Sequence, residues 1–324
     1  MKDIIKKKKI SIISVCYNEE KNILPMYERV DRVFSDLKDH DYELIYVDNC
    51  SQDNSEEILR NLAQKSKKIK VILMARNNGS SQYSNLAGLR LATGDSAVLV
   101  DGDIQDPPEL IPELIKKWEE GYDVVYGVRK SRKGALLRRF LYKLFYRVFQ
   151  SLSYIEMPLD AGDFSLLDRK IINIMTKYQE RDYYIRGLRA FTGFKQIGVE
   201  YTRDERKRGE TVTTIFSYLW YAKKLILNFS FRPLEWISKI AFLFMLAAFG
   251  LLIYEIVFYF IDSNIPKGTP TIIILVLFTG AIQLLCTSII AEYLANIFVE
   301  IKDRPRYIVK EIINDQGALE KISE

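Results

Sequence analysis

Histidine and cysteine are scarce in this chain of 324 residues, which contains one histidine, His40, and three cysteines. A lone histidine excludes a zinc site of the HExxH type, because that site needs two histidines. Cys16, Cys50 and Cys286 are too widely spaced for a CxxC metal site or a disulfide framework. Any metal ion that the protein binds must therefore be held by oxygen ligands.

A strong charge of one sign is lacking too, because 47 lysines and arginines are nearly balanced by 42 aspartates and glutamates. We expect no nucleic-acid partner at a net charge of +5, which is compatible with an anionic membrane face or a phosphorylated substrate. Hydrophobic residues make up 48% of the chain, which excludes a disordered protein. The beginning of the chain lacks the apolar stretch of a signal peptide, so we expect the N-terminal region to stay in the cytoplasm.

Short apolar runs alternate with helical patterns over residues 10–129. The runs ISIISV, YELIYVD, IKVILM, SAVLVD and DVVYGV are rich in β-branched residues, which is typical of buried strands. Helical patterns separate them near 20–37, 55–65, 81–92 and 108–120. This alternation predicts an α/β fold with a mostly parallel sheet, and such sheets bind ligands at the carboxyl ends of their strands.

Polar clusters follow four of the predicted strands: CYNEE, DNCSQD, ARNNGSS and DGDIQD. In the last cluster, Asp101 and Asp103 stand two residues apart at the end of a strand, with Asp106 just beyond. Two carboxylates so placed bind a hard cation such as Mg²⁺ or Mn²⁺, which keeps waters and takes further oxygens from a diphosphate. The alternative is an ordinary turn, which Asp and Gly also favour.

Two of the other clusters favour contacts to a nucleotide. Asp48 ends a strand and Asp53 follows in the next turn, where a carboxylate can accept hydrogen bonds from a base or a ribose. Asp53 equally fits a helix N-terminal cap. Asn78 and Gly79 precede a helix whose free backbone N–H groups can face an anion. No Walker pattern is present, so a P-loop kinase is not supported.

Charged residues also occur in two later segments. LDAGDFSLLDR places Asp160 and Asp163 around Gly162, and acidic groups near an apolar surface are unusual unless they are paired, metal-bound or catalytic. A loop is the ordinary alternative. The run from Arg181 to Arg208 is rich in arginine, whose fork geometry suits a phosphate, although a solvated basic face explains it as well.

Two apolar stretches, 240–261 and 271–291, predict a membrane-spanning hairpin. The second has no charged residue and, at about 1.5 Å per residue, can cross a hydrocarbon core of roughly 30 Å. Lysine and arginine are concentrated outside the hairpin rather than in its short loop, so both chain ends are predicted to be cytoplasmic. A buried hairpin in a soluble domain is the alternative.

Amphipathic helices are predicted at about 134–152 and 211–232. In GALLRRFLYKLFYRVFQSL, apolar side chains alternate with basic ones at helical spacing, as in a helix that lies on a membrane surface. A helix packed on the sheet is the alternative. The predicted domains are a cytoplasmic domain over 1–232, a transmembrane hairpin over 233–299 with spans near 237–261 and 271–295, and a cytoplasmic tail over 300–324.

Several motifs follow one another over about residues 9–310: CYNEE, VDNCSQD, VDGDIQDPPEL, DVVYGVR, DAGDFSLLDR, RDERKRGET and AEYLANIFVEIKDRPRYIV. Their order and spacing resemble those of the polyisoprenyl-phosphate glycosyltransferases of glycosyltransferase family 2, the relatives of dolichol-phosphate mannose synthase and bactoprenol glucosyltransferase. The resemblance implies a GT-A fold and inverting transfer of one sugar from a nucleotide-sugar, such as a UDP-hexose, to undecaprenyl phosphate or another polyprenyl phosphate. The bactoprenol subgroup further implies a homo-tetramer in the bacterial cytoplasmic membrane.

The resemblance also implies roles for particular residues. A metal ion, Mg²⁺ or Mn²⁺, is expected on Asp101 and Asp103, and the catalytic set is predicted to be Asp163, Asp103 and Asp160. Candidates to hold the acceptor's phosphate are Arg129, Arg203 and Arg206. The nucleotide-sugar pocket is predicted to contain Tyr17, Asn18, Glu19, Asp48, Asp53, Asn78, Gly79, Asp101, Gly102, Asp103 and Gln105.

Two motifs depart from the family pattern. The usual DDGSxD reads DNCSQD, with Asn49 and Cys50, and the usual DAD reads DGD, with Gly102. These changes keep the carboxylates of Asp48, Asp53, Asp101 and Asp103 and leave the identity of the sugar open. The QxxRW motif of processive synthases is absent, which favours single-sugar transfer over polymerisation.

The chemistry follows from residue types as well. A metal ion on the donor's diphosphate neutralises the charge that develops on the leaving group. The acceptor phosphate is already ionised, so Asp163 acts either as a base or as a positioning group. Two other functions remain open at this point: transfer to a different membrane lipid such as diacylglycerol, and a catalytically silent membrane scaffold that binds a nucleotide-sugar.

Overall fold

A computed structural model describes residues 7–129, 158, 161–203, 229–261 and 269–318. These residues form two compact units. The first contains the described residues up to 129, residue 158, those from 161 to 203 and those from Arg304 onward. The second contains the rest, up to Asp303. The predicted domain boundaries at 232 and 299 stay predictions.

The first unit is built on one sheet of eight strands. In chain order these strands are β1 (Lys8–Cys16), β2 (His40–Asp48), β3 (Ile69–Met74), β4 (Ser96–Asp101), β5 (Val124–Arg129), β6 (Ala161–Asp168), β7 (Gln196–Tyr201) and β8 (Val309–Ile313). Their order across the sheet is β7-β5-β6-β4-β1-β2-β3-β8. Only β6 and β8 run antiparallel to their neighbours. The predicted α/β fold with a mostly parallel sheet is confirmed.

Helices connect the strands of this sheet. They are α1 (Glu20–Asp36), α2 (Ser55–Lys65), α3 (Ser81–Leu91), α4 (Ile111–Glu119), α5 (Arg169–Met175) and α6 (Ile185–Phe191). Helix α1 shows why they form: its apolar residues recur every three or four positions and are buried, namely Ile23, Met26, Val30, Val33 and Phe34. The strands they cover are filled with β-branched residues such as Ile10 and Ile12, which are fully buried.

Strand β8 completes the sheet at the edge next to β3, although it follows the apolar helices in sequence. The backbone N–H of Ala75 donates to the carbonyl of Ile308, and Arg60 Nη1 donates to Glu311 Oε1 at 3.1 Å. Tyr307, just before β8, is buried. Sequence reasoning assigned these residues to a tail, because five residues with two charges carry no strong strand signal.

The second unit contains α7 (Arg232–Ile261) and α8 (Thr269–Ile301). Within the described residues these two helices are long and apolar enough to cross a membrane, and the apolar stretches predicted from the sequence fall within them. The rings of Phe244 and Phe278 meet with centroids 5.7 Å apart, and the Tyr293 hydroxyl donates to the carbonyl of Ser230. The predicted amphipathic helices, 134–152 and 211–232, lie outside the described residues except for the last few positions of the second.

Candidate active site

The carboxyl ends of β1, β2 and β4 lie side by side in the sheet, as parallel pairing requires. Strand β6 brings its beginning to the same edge, because it runs antiparallel to β4. Leu99 pairs with Ser165, and the same register continued by two residues places Asp163 level with Asp101. One edge of the sheet thus collects three of the predicted polar clusters and the later acidic motif.

Asn18 ties the loop after β1 to the loop after β2. Its backbone has a φ of +54°, its N–H donates to Ser51 Oγ at 2.9 Å, and its Oδ1 accepts from the N–H of Gln52 at 2.7 Å. Its neighbours Tyr17 and Glu19 lie on the same loop, and the Glu19 N–H donates to Ser55 Oγ at 3.2 Å. The side chain of Asn18 is therefore occupied in bracing the loops, which shapes the predicted pocket.

Asp48 and Asp53 occupy different electrostatic environments. Asp48 is buried, and burial raises the pKa of its carboxyl, although its oxygens accept hydrogen bonds from the N–H and hydroxyl of Ser51. Burial alone would also raise the pKa of Asp53, but hydrogen bonds from the N–H groups of Ser55 and Glu20 outweigh it and lower the pKa. Asp53 thus makes the backbone contact expected of a cap at the beginning of α2.

Asn49, one of the departures from the family pattern, links the end of β2 to the loop before α3. Its Nδ2 donates to Asn77 Oδ1 at 3.1 Å, and its Oδ1 accepts from the N–H of Asn78 at 3.2 Å. The backbone of Gly79 then turns at a φ of +70°. Among the described residues, the buried amide atoms of the Asn78 side chain have no hydrogen-bond partner.

Asp101 and Asp103 converge on one cationic group. The Arg203 guanidinium Nη2 lies 3.6 Å from Asp101 Oδ2 and 3.7 Å from Asp103 Oδ2. Burial and the neighbouring carboxylates, Asp163 foremost, raise the pKa of Asp101 to about 7, and a cation would relieve this repulsion. The pair therefore fits a divalent ion.

Asp101 and Asp103 are the two carboxylates that the described residues offer to a metal ion here. No group of three or more His, Cys, Asp or Glu side chains with metal-binding geometry occurs in the part of the chain that the structure describes. Mg²⁺ is commonly held in this way, by one or two carboxylates together with waters and substrate phosphates. Waters would complete the donor set in the free protein, and the oxygens of a diphosphate would replace some of them.

Gly102, the second departure from the family pattern, lies against the end of β1. Its N–H donates to the carbonyl of Val15 at 3.0 Å, and a Cβ at this position would stand 2.5 Å from that same oxygen. Only glycine fits without a shift of the backbone. The turn continues through Ile104 at a φ of +59°, and the N–H of Gln105 donates to Asp103 Oδ1 at 3.1 Å.

Asp106 was left out of the predicted site and is central to its geometry. It is 1% exposed, and its Oδ1 accepts hydrogen bonds from the Tyr201 hydroxyl at 2.5 Å and from Arg203 Nε at 3.0 Å. Arg129 Nη2 lies 4.0 Å from Asp106 Oδ2, and Arg129 Nε donates to the Tyr201 hydroxyl. Two of the three arginines predicted for the acceptor phosphate are thus gathered by one buried carboxylate.

Asp163 is held from two sides. Arg186 Nε donates to its Oδ1 at 2.7 Å and Gln82 Nε2 donates to its Oδ2 at 3.2 Å, while Gln82 Oε1 accepts from the N–H of Ile185. Burial alone would raise the pKa of Asp163, but the arginine outweighs it and lowers the pKa. Sequence reasoning missed Gln82, which carries no motif signal of its own.

The structure therefore brings Asp101, Asp103, Asp163, Arg129 and Arg203 to one edge of the sheet. Asp160 and Arg206, the remaining members of the predicted catalytic and phosphate-binding sets, lie outside the described residues. The roles assigned to all these side chains stay predictions.

Comparison with known proteins gives a consistent family assignment. The model of the family "Glycosyl transferase family 2" matches residues 11–175. The chain is 41% identical to the uncharacterized glycosyltransferase YkcC of Bacillus subtilis (strain 168), over 93% of each protein. It is 32% identical to the prophage bactoprenol glucosyl transferase homolog of Escherichia coli (strain K12), over 94% of this chain and 99% of that protein.

One similar solved structure is glucosyl-3-phosphoglycerate synthase from Mycobacterium tuberculosis in complex with Mn²⁺, UDP and glucosyl-3-phosphoglycerate. The two chains are 21% identical, with a TM-score of 0.39 over 68% of this chain and 78% of that chain. The metal ion and the nucleotide are those of that protein.

Proposed function

The chain belongs to glycosyltransferase family 2 and has the mostly parallel sheet of the GT-A type, and from that premise we propose that it transfers one sugar from a nucleotide-sugar to a polyprenyl phosphate. The observation that carries this proposal is the convergence of Asp101 and Asp103 on a single cationic group at the carboxyl edge of the sheet. A nucleoside diphosphate and a divalent ion fit that edge. UDP is the proposed nucleotide.

The leaving group is the first chemical problem of this reaction. A Mg²⁺ or Mn²⁺ ion on Asp101 and Asp103 would supply charge neutralisation for the departing nucleoside diphosphate. The chain's own residues position the donor. The loops braced by Asn18 and Asn49 shape the pocket for the nucleoside, with Asp48 and Asp53 as acceptors for its hydroxyl or N–H groups.

The acceptor phosphate is the second problem, because two anions must approach each other. Arg203 lies beside the paired carboxylates and Arg129 lies beside Asp106, and both can hold a phosphate with the fork geometry of a guanidinium. With the phosphate held there, its oxygen attacks the anomeric carbon from the face opposite the leaving group, which inverts that carbon. We assign Arg206, which follows in sequence, to the same group.

Asp163 is proposed as a positioning group rather than a base. The acceptor phosphate is ionised at neutral pH, so no proton has to be removed before attack. The Arg186 partner favours the charged form of Asp163, which makes the carboxylate a weak base. An ionised carboxylate beside Asp101 is suited instead to hold hydroxyl groups of the sugar. Asp160 is proposed to support it.

The proposed acceptor requires a membrane, and α7 and α8 supply two candidate spans. The chain enters this helix pair after β7 and returns to β8, and both strands belong to one sheet. If both helices cross, the two ends of the pair therefore lie on the same side. Lys302, Arg304 and Arg306 directly follow α8, which favours the cytoplasmic side of a bacterial membrane. A homo-tetramer remains part of the proposal because of the resemblance of the sequence motifs to the bactoprenol subgroup.

An acceptor panel tests this function. Detergent-solubilised protein is incubated with radiolabelled UDP-sugars and Mg²⁺, together with undecaprenyl phosphate, undecaprenol or diacylglycerol. Label should enter the lipid fraction only with undecaprenyl phosphate, because Arg129 and Arg203 need a phosphate to hold. Label in diacylglycerol would instead establish a different lipid acceptor. No label with any lipid, together with retained nucleotide binding, would favour the scaffold.

A further inference from the structure

Arg203 is shared among three carboxylates, and the three contacts are unequal. Its Nε donates a hydrogen bond of 3.0 Å to Asp106 Oδ1, whereas its Nη2 stands 3.6 Å from Asp101 and 3.7 Å from Asp103. The last two distances are those of ion pairs without a hydrogen bond. The guanidinium of Arg203 is therefore hydrogen-bonded to Asp106, and its Nη2 lies near the proposed metal ligands, Asp101 and Asp103.

A divalent ion and Arg203 must compete for Asp101 and Asp103. Both are cations, and a guanidinium close to the two carboxylates opposes the approach of a metal ion. If Arg203 had no other partner, it would pair fully with Asp101 and Asp103, because they are the carboxylates nearest to its Nη2 and a partly buried charge is costly when it is left unpaired. The hydrogen bond between Arg203 and Asp106 therefore determines how strongly Arg203 competes with a metal ion for Asp101 and Asp103.

Asp106 is well suited to be that hydrogen-bond partner. Its side chain is buried, and the Tyr201 hydroxyl, whose ring meets that of Phe164 edge to face, holds the same oxygen that accepts from Arg203. The carboxylate thus cannot turn toward solvent. It offers Arg203 a fixed negative partner that is separate from Asp101 and Asp103.

We propose that Asp106 is a positioning residue, which holds Arg203 to one side of Asp101 and Asp103 so that a divalent ion and the arginine can be present together. This inference rests on the proposed function, since it takes Asp101 and Asp103 as the metal ligands. Both cations then remain beside the place where the phosphates of donor and acceptor meet.

The test is a double-mutant cycle on metal affinity. Free Mn²⁺ is measured by electron paramagnetic resonance with full-length, detergent-solubilised protein and no nucleotide. Asp106→Asn should weaken Mn²⁺ binding by about tenfold, because the freed arginine pairs with Asp101 and Asp103. Arg203→Gln should strengthen Mn²⁺ binding, and the double variant should bind Mn²⁺ as Arg203→Gln does.

The cycle separates positioning from simple loss of charge. If Asp106 acted only through its long-range field, Asp106→Asn would weaken Mn²⁺ binding equally with and without Arg203, and the inference would be overturned. Glu109→Gln serves as the matched control, because Glu109 is an exposed carboxylate three residues further along that pairs with Arg29. That control should leave Mn²⁺ affinity unchanged.

Arg203→Gln alone provides a second test if Asp106→Asn fails to fold. Equal or weaker Mn²⁺ binding by Arg203→Gln would contradict the competition on which the inference depends. An unchanged affinity in a folded Asp106→Asn variant would also overturn it. If the unmodified protein bound no Mn²⁺, the proposed metal site itself would fall, and that result is distinct from either of the others.

Discussion

Arg186 Nε donates a 2.7 Å hydrogen bond to Asp163 Oδ1, so the acidic side chain nearest in register to Asp101 is paired with a cation. This pairing lowers the pKa of Asp163 in spite of its burial. A group that stays ionised through the neutral range cannot be the source of a proton-transfer step that titrates there. The pair therefore bears on how the reaction is catalysed.

The first prediction concerns Arg186. Replacing it with glutamine should remove the cause of the lowered pKa, so the pKa of Asp163 should rise and the charged form should be lost at a higher pH. We expect kcat to fall by about tenfold, and the acid side of the kcat profile to move to higher pH. The measurement is kcat against pH for both proteins. An unchanged profile would show that Asp163 does not act in its ionised form.

The second prediction concerns Gln82, which joins Asp163 to the backbone of Ile185. Gln82→Leu keeps the size of the side chain but leaves the Ile185 N–H without its acceptor and Asp163 with one donor fewer. We expect kcat to drop by about tenfold with a smaller change in the KM of the donor, because the carboxylate is misplaced by a fraction of an ångström. Gln64→Leu, on the exposed face of α2, is the matched control. Equal effects of the two substitutions would rule out a specific role for Gln82.

The third prediction concerns Glu43, a buried carboxylate away from the site. Burial alone would raise its pKa, but hydrogen bonds from Lys9 Nζ at 2.7 Å and Ser11 Oγ at 2.6 Å, with others, bring it down to about 2. A lowered pKa in the folded state stabilises the fold above the unfolded value of 4.5, and that stability is lost as the pH falls toward 2. This difference in the pKa of Glu43 between the unfolded and folded states contributes about 3 kcal/mol to the free energy of unfolding at neutral pH.

Chemical denaturation at several pH values tests this stabilisation. The free energy of unfolding should decrease between about pH 4.5 and pH 2 in the unmodified protein, and less steeply in Glu43→Gln. The difference between the two proteins should therefore shrink as the pH falls. A difference that stays constant across this range would mean that the charge of Glu43 does not contribute.

The fourth prediction concerns Gly102. Gly102→Ala would place a methyl group 2.5 Å from the Val15 carbonyl, so the ends of β1 and β4 must move apart. We expect a lower melting temperature and weaker Mn²⁺ binding, because Asp101 and Asp103 flank the displaced residue. Gly317→Ala is the matched control, since a Cβ there would meet nothing within 4 Å. Equal melting temperatures for the two variants would contradict the close approach.

Several elements could be predicted from the sequence because their signals are local. Helix α2 begins and ends where its pattern indicates, at Ser55 and Lys65, and β4 covers the run SAVLVD. Strand β8 could not be predicted in this way, because Val309–Ile313 is short and its partner β3 lies far back in the chain. Its place depends on contacts that only the folded chain provides, such as the burial of Tyr307.

The candidate site likewise contains residues with a local sequence signal and residues whose importance depends on the folded chain. Asp101 and Asp103 were predictable because paired carboxylates at a strand end are a local motif. Asp106 stands in the same motif, yet its importance lies in its burial and in its two donors, Tyr201 and Arg203, which are distant in sequence. Such partner choices are set by the tertiary structure, and residue type alone does not reveal them.

The most direct test of the central claim is the mass of the lipid after reaction. Undecaprenyl phosphate is incubated with a UDP-hexose, Mg²⁺ and either the unmodified protein or Asp103→Asn, and the lipid is analysed by mass spectrometry with and without EDTA. The account predicts a single added hexose on the phosphate with the unmodified protein, and no addition with EDTA or with a folded Asp103→Asn variant. Normal transfer by Asp103→Asn, or an unmodified lipid with every UDP-hexose and an active control enzyme, would contradict it.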